Sequence, residues 1–181
     1  HLAGISFIDL YEHYPRHDID IEAEQARLLD ADVIVFQFPL FWYSTPSLLK
    51  DWMDLVLEHG FAYGEGGEAL KGKSLLCAIT TASPESAYSS HGFQQYPLRT
   101  FLTPLEQTAR LCQMRFLPPY VLYEALKASE DEHLERHEHG YKRLLLGLRE
   151  GVFDPDGAQR IDILQAKTLN AVLNDEEARH G

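Results

Sequence analysis

The stretch Ala31-Asp32-Val33-Ile34-Val35-Phe36-Gln37-Phe38-Pro39-Leu40-Phe41-Trp42-Tyr43-Ser44 carries two signals in one segment. Its first part, Val33-Ile34-Val35-Phe36-Gln37, is a nearly unbroken apolar run rich in β-branched residues. That is the pattern of a strand covered on both faces, and such strands belong to parallel sheets. Its second part, residues 38–43, is an aromatic loop. Further on, Leu75-Leu76-Cys77-Ala78-Ile79 repeats the first signal and runs into the small residues Thr80-Thr81-Ala82-Ser83. Between and around these strands the spacing turns helical. Residues 20–31 set Ile21, Ala26, Leu28 and Leu29 among acids. Residues 46–57 space Leu48, Leu49, Trp52, Leu55 and Val56 along one helix, with Pro46 suited to its first turn.

Working outward, Ile5-Ser6-Phe7-Ile8-Asp9-Leu10-Tyr11 alternates in part and predicts an edge or near-edge strand. Residues 97–112 predict a helix containing Pro104, and residues 115–123 a last strand whose Pro118 and Pro119 suit an edge. Ser129 with Glu132 predicts a capping box for a long helix through Arg149. The order strand, helix, four times over, is that of an α/β fold with right-handed crossovers and a ligand crevice at the carboxyl ends of the strands. Residues 1–153 form one domain on this reading, and residues 154–181 a helical extension. The extension opens with Asp154-Pro155-Asp156-Gly157 and continues with Ile161, Ile163, Leu164, Leu169, Val172 and Leu173, an amphipathic helix that covers the body or a partner subunit.

The 181 residues are 45% hydrophobic, enough for one sizeable core. With 16 Lys and Arg against 28 Asp and Glu, the net charge of −12 disfavours nucleic acid and anionic membrane as partners. Cys77 and Cys112 sit in apolar segments without CxxC spacing and are expected to be buried thiols, in keeping with a reducing compartment. No apolar stretch approaches the roughly 20 residues that span a bilayer.

In such a sheet Pro39-Leu40-Phe41-Trp42-Tyr43-Ser44 and Thr80-Thr81-Ala82-Ser83 face each other across one crevice. An aromatic loop opposite a small, hydroxyl-bearing one suits a flat apolar ring system with a polar edge, an isoalloxazine rather than a sugar or a metal. An exposed turn or a dimer contact accounts equally well for Phe41, Trp42 and Tyr43 on composition alone. His133 and His137, four apart, have metal-compatible spacing, but the charged run around them reads as a solvated helix face, and no metal site is expected. Gly64-Glu65-Gly66-Gly67 lacks the strand-before, helix-after context of a dinucleotide fingerprint and reads as a loop.

Residues 31–44, followed by Pro46, Leu48-Leu49-Lys50 and Trp52, resemble the flavin-loop segment of the NAD(P)H:quinone reductases that include DT-diaphorase and the potassium-efflux ancillary proteins. The likeness continues in order through His59-Gly60-Phe61-Ala62-Tyr63-Gly64, Leu70-Lys71-Gly72-Lys73, Ile79-Thr80-Thr81 and Pro84-Glu85-Ser86-Ala87-Tyr88. Asp9-Leu10-Tyr11, Tyr14-Pro15, Asp18-Ile19-Asp20-Ile21 and Glu24-Gln25 resemble the ancillary branch in particular.

The resemblance implies a flavodoxin-like, three-layer α/β/α fold with a parallel sheet of order 2-1-3-4-5. On that order the strand near Ile5 is the second. The first strand and the phosphate loop after it, a strand–loop–helix of roughly 25 residues, are expected to be absent from this chain, leaving it poorly stable and weak in holding flavin.

It further implies bound FMN, with FAD as the alternative, NAD(P)H as donor, a quinone as acceptor, and a homodimer. The location implied is cytoplasmic, at the inner face of the membrane through a potassium–proton antiporter that the protein regulates. A non-catalytic flavin-binding module that docks on the antiporter is the rival reading. Flavin contacts carry over to Pro39, Leu40, Phe41, Trp42, Tyr43, Thr80, Thr81, Ala82 and Ser83. The family usually has glycine where Ala82 stands, so a side chain there could restrict a donor N–H that needs positive φ. In that family a tyrosine and a histidine near the second loop stabilise charge on the reduced flavin. Tyr88 matches the tyrosine, and His91 stands nearer to it than the family's spacing has it.

Overall fold

The computed structural model describes residues 3–129 and 132–174. Residues 175–181 of the C-terminal extension lie outside the described residues. The apolar runs form parallel strands: β1 (Val33–Pro39) pairs with β2 (Ser74–Thr80), register Val33 to Ser74 through Pro39 to Thr80. On its far side β2 pairs with β3 (Arg115–Phe116) and β4 (Tyr120–Leu122), again parallel. These two are one strand interrupted by Leu117-Pro118-Pro119, because each proline removes a ladder donor.

Alternation along the strands makes two cores. Ile34, Phe36 and Phe38 of β1 and Leu75, Cys77 and Ile79 of β2 point to one face. There they meet α2 (Ile21–Asp30), α3 (Ser47–Val56), α4 (Leu98–Phe101) and α5 (Thr103–Leu111). Leu76 and Tyr120 point to the other face, against α6 (His133–Glu150) and residues 153–173. The fold is thus a parallel sheet with helices on both sides. The second face covers β1 less fully than the apolar run predicts: Val35 is half-buried and Gln37 exposed. Both cysteines are free and buried, and desolvation pushes the Cys77 thiol up to about 12.

Four expectations are corrected. Residues 5–9 are not a strand. Asp9 instead caps a single helical turn, α1 (Leu10–His13), its carboxylate accepting from the backbone N–H of Tyr11 and Glu12. Among the described residues no strand lies beside this segment to pair it, and an unpaired strand has no ladder to hold it. The helix expected over 97–112 is broken at Leu102: Pro104 has no N–H for the Thr100 carbonyl, which accepts from the Thr103 hydroxyl instead (2.9 Å). Ser129 does not cap α6, which starts at His133 behind Glu132 with no side-chain cap, since residues 125–129 are still turning. The extension is not one helix. Its described part holds α7 (Pro155–Ala158), capped by Asp154, and a 3₁₀ segment Ala166–Ala171. Between them Leu164 exchanges backbone hydrogen bonds with Pro119 and Val121, capturing the chain in extended form at the sheet edge.

On the second face Tyr120, His137 and Tyr141 form a three-ring cluster, with centroids 4.6 Å (Tyr120–His137), 5.6 Å (Tyr120–Tyr141) and 6.4 Å (His137–Tyr141) apart, and the Tyr120 hydroxyl donates to the His137 carbonyl. Burial, with His133 one turn away, lowers the pKa of His137 from 6.5 to about 4. The unfolded chain therefore takes up this proton near pH 6.5 and the folded one only near pH 4. Stability is intact above the first value and is lost as pH falls toward the second. The urea midpoint of the native protein should accordingly fall more steeply between pH 6.5 and 4 than that of His137→Phe; parallel slopes would contradict this assignment.

Candidate functional site

The register that pairs Pro39 with Thr80 sends both loops off the same end of the sheet, and the Leu40 N–H donates to the Thr80 carbonyl at 2.9 Å. The two segments singled out in the sequence are therefore neighbours. In the second loop Thr81 is buried. Its N–H donates to the Leu122 carbonyl, its own carbonyl accepts from Ala125, and its hydroxyl donates to the Ser83 carbonyl at 3.0 Å. Ala82 is exposed and does not have positive φ, so a side chain is accommodated where the family usually has glycine.

The aromatic loop is a tight turn. Phe41 and Ser44 form an isolated antiparallel bridge, the Ser44 N–H donates to the Phe41 carbonyl (2.9 Å), and the two residues between, Trp42 and Tyr43, have φ of 47° and 63°. Positive φ at both central positions is the requirement of a mirror-image turn that ordinarily selects Asn and Gly. An aromatic residue there carries a penalty of roughly 1–2 kcal/mol. Tyr43 recovers some of it by stacking on Phe101, centroids 4.9 Å apart at 28°. Trp42 recovers nothing within the fold, being 93% exposed. Among the described residues no protein acceptor is found for the backbone N–H of Trp42, Tyr43, Ala82 or Ser83. Both loops thus keep backbone donors uncommitted within the fold.

Phe101, which the sequence shows only as one member of the stripe Leu98, Phe101, Leu102, Leu105, is the ring that joins the site together. Besides Tyr43 it meets Tyr88 edge-on at 6.2 Å and Tyr96 at 6.1 Å. Tyr88 is half-buried between Phe101 and Tyr123 (5.8 Å), and its hydroxyl has no partner among the described residues. Burial, with Glu85 and Tyr88 nearby, raises the Tyr123 phenol, so that ring stays neutral. His91 is exposed and makes no ring contact with this cluster; Gln94 reaches the second loop instead, its amide donating to the Ser83 hydroxyl at 3.0 Å.

The rim is tied to the C-terminal segment. Glu85 accepts from Gln165 and Lys167, each at 3.0 Å. Partial burial pushes its carboxyl upward, but those two hydrogen bonds outweigh it and hold the pKa below the usual range. A separate groove of about 110 Å³ borders Leu40, Tyr43, Lys50, Met53, Phe101 and Leu105. None of residues 80–83 lines it, and it is below the roughly 300–1,000 Å³ of drug-sized ligand sites. It shares Leu40, Tyr43 and Phe101 with the aromatic side of the site.

Comparison with known proteins places this geometry. The chain is 50% identical over 144 residues to the glutathione-regulated potassium-efflux system ancillary protein KefG of Cronobacter sakazakii, covering 80% of this chain and 78% of that one. Three solved structures share its fold. One described as a thermophilic tryptophan halogenase from Streptomycin violaceusniger has TM-score 0.68 and 46% identity, over 68% of this chain and 72% of that one. The general stress protein 14 of Treponema denticola, solved in complex with FMN, has TM-score 0.65 and 36% identity over 69% and 72%. An NADPH-quinone reductase from P. pentosaceus has TM-score 0.62 and 34% identity over 66% and 70%. A family model described as flavodoxin-like fold matches residues 1–145. The chain therefore belongs to the flavodoxin-like fold family, as a homologue of the potassium-efflux ancillary proteins with quinone reductases among its structural neighbours.

Proposed function

We propose that this protein is a flavin-dependent NAD(P)H:quinone oxidoreductase that uses FMN, acts as a homodimer in the cytoplasm, and serves as the ancillary, regulatory subunit of a glutathione-gated potassium–proton antiporter at the inner membrane face. The observation that carries the reading is the aromatic turn. A 93% exposed Trp42 on a strained backbone has no structural return, and such strain points to function.

The residues present fit a flavin. Two loops offer unpaired backbone donors and the Ser83 hydroxyl to a polar edge, beside aromatic side chains for a flat ring. When bound, FMN would supply hydride acceptance from NAD(P)H and two-electron delivery to the quinone. The chain's own contribution is placement. The N–H groups of Ala82 and Ser83 orient the polar edge, Phe41 and Trp42 shield a face from water, and Tyr88 offers an uncommitted hydroxyl to negative charge that develops during transfer.

The visible spectrum with NAD(P)H and a benzoquinone tests this. With FMN in the excess that a weak hold on flavin requires, the purified protein should turn yellow, bleach with NAD(P)H and recover with quinone, and Tyr88→Phe should lower turnover about tenfold, the worth of one hydrogen bond to developing charge. A protein that takes up neither FMN nor FAD even at saturating concentration would overturn the reading. The rival, a regulatory module with no need of turnover, is favoured by the KefG likeness. It would stand alone if Tyr88→Phe together with Trp42→Ala collapsed quinone reduction yet left antiporter activation intact.

A further inference from the structure

We propose that Gln94 is a positioning residue of the crevice, acting on the cofactor through the Ser83 hydroxyl. The inference rests on the flavin reading above and deepens it. Three local devices bring Gln94 to this place. Gly92 lies so close to the preceding turn that a Cβ would sit 2.3 Å from the Ala87 carbonyl oxygen and 2.5 Å from that of Ser86, so only glycine lets residues 86–95 fold back. The Gln94 N–H then donates to the Ala87 carbonyl at 2.9 Å. Gln95, with φ of 61°, turns the chain away immediately afterwards. The result is a half-buried amide whose Nε2 donates to Ser83 Oγ at 3.0 Å.

The Ser83 carbonyl is already engaged by the Thr81 hydroxyl (3.0 Å) and the Glu124 N–H (3.3 Å), so the backbone of Ser83 is fixed from two sides and only its hydroxyl is left to orient. A free serine hydroxyl samples three staggered positions and can donate or accept. With one of its two lone pairs filled by the amide of Gln94, the hydroxyl is turned so that its proton is available to an acceptor in the crevice, beside the unpaired N–H groups of Ala82 and Ser83. The second loop thus contributes a third donor, and Gln94 biases its hydroxyl toward donating. His91, three residues earlier and exposed, does not take this part.

Fluorescence titration of FMN and the midpoint potential of the bound flavin, measured on the native protein, Gln94→Leu, Gln94→Glu, Ser83→Ala and the double variant Ser83→Ala with Gln94→Leu, test the inference. Each single change should weaken FMN binding about fivefold, the worth of one hydrogen bond, and lower the potential. The double variant should be no weaker than either single one. Gln94→Glu is the critical arm: a carboxylate still reaches Ser83 but takes its proton, so it should lose as much affinity as leucine does although the contact survives. Additive losses in the double variant, or full affinity in Gln94→Glu, would overturn the positioning role while leaving the flavin reading intact. A native protein that takes up no FMN would overturn both.

Discussion

Replacing Phe101 with alanine should reduce FMN affinity roughly thirtyfold and lower stability by about 2 kcal/mol. The ring is half-buried, so the stability loss falls below the roughly 3–5 kcal/mol of a fully buried phenylalanine. The affinity loss, about 2 kcal/mol, is as large as the stability loss because of what the ring supports. Tyr43 stacks on it at 4.9 Å, and Tyr43 is one of two consecutive residues held at positive φ. An aromatic pair is worth about 0.5–1.5 kcal/mol, the same size as the backbone penalty it offsets. Without the ring the turn relaxes, and the cofactor must reorder it on binding. Tyr88 loses its edge contact at the same time, so both sides of the crevice loosen together. Titration of FMN into Phe101→Ala and Phe101→Leu, alongside urea unfolding, separates the two effects. Leucine restores volume without a stacking face, so it should recover most of the stability and little of the affinity. Equal affinity in all three proteins would mean that the turn is held by something other than this stack.

The sheet was legible because its strands declare themselves locally. Val33–Pro39 and Ser74–Thr80 are apolar runs flanked by helical spacing, and their ends place the two loops without further information. Readings failed where tertiary pairing or chain geometry overrides local pattern. The segment near Ile5 has a strand's alternation, yet a strand also needs a neighbour. Leu164 has a helix's spacing, yet the open edge beside Tyr120 captures it in extended form. At the site, Tyr88 was visible as a motif residue, whereas Phe101 was hidden in an ordinary apolar stripe and Gln94 in a loop of no evident pattern. Nothing in one dimension shows that Gly92 folds that loop back onto Ala87. The signal that was available is the glycine itself, since an isolated glycine in a loop marks close backbone approach.

Glu24→Leu should destabilise the protein by about 3–5 kcal/mol, the range for breaking a buried ionic network from one side. Glu24 is only 4% exposed, on the inner face of α2. Its carboxylate accepts from the Tyr14 hydroxyl at 2.7 Å and from Trp52 Nε1 at 2.9 Å, and it pairs with Arg27. One side chain thus ties the segment after α1, helix α2 and helix α3 together. Trp52 in turn packs edge-on against Phe36 of β1 at 5.6 Å, so the network reaches the sheet. Leucine fills the volume but leaves the phenol and the indole N–H buried without an acceptor, at about 1–3 kcal/mol each, and leaves Arg27 with Tyr14 but without its carboxylate. Glu24→Gln keeps one acceptor oxygen and should lose less than half as much. In Glu24→Leu the further change Trp52→Phe should cost less than it does in the native protein, because the orphaned donor is removed with it. Urea unfolding of the native protein, the three single variants and the double variant measures both. Strict additivity would show that Glu24 and Trp52 act independently. Against a total of roughly 5–15 kcal/mol for a domain, a loss of this size leaves little margin. Helix α3 follows directly on the aromatic turn, so lost FMN binding in Glu24→Leu would report on the frame that carries the crevice, whereas the same loss in Phe101→Leu, with the frame intact, reports on the crevice itself.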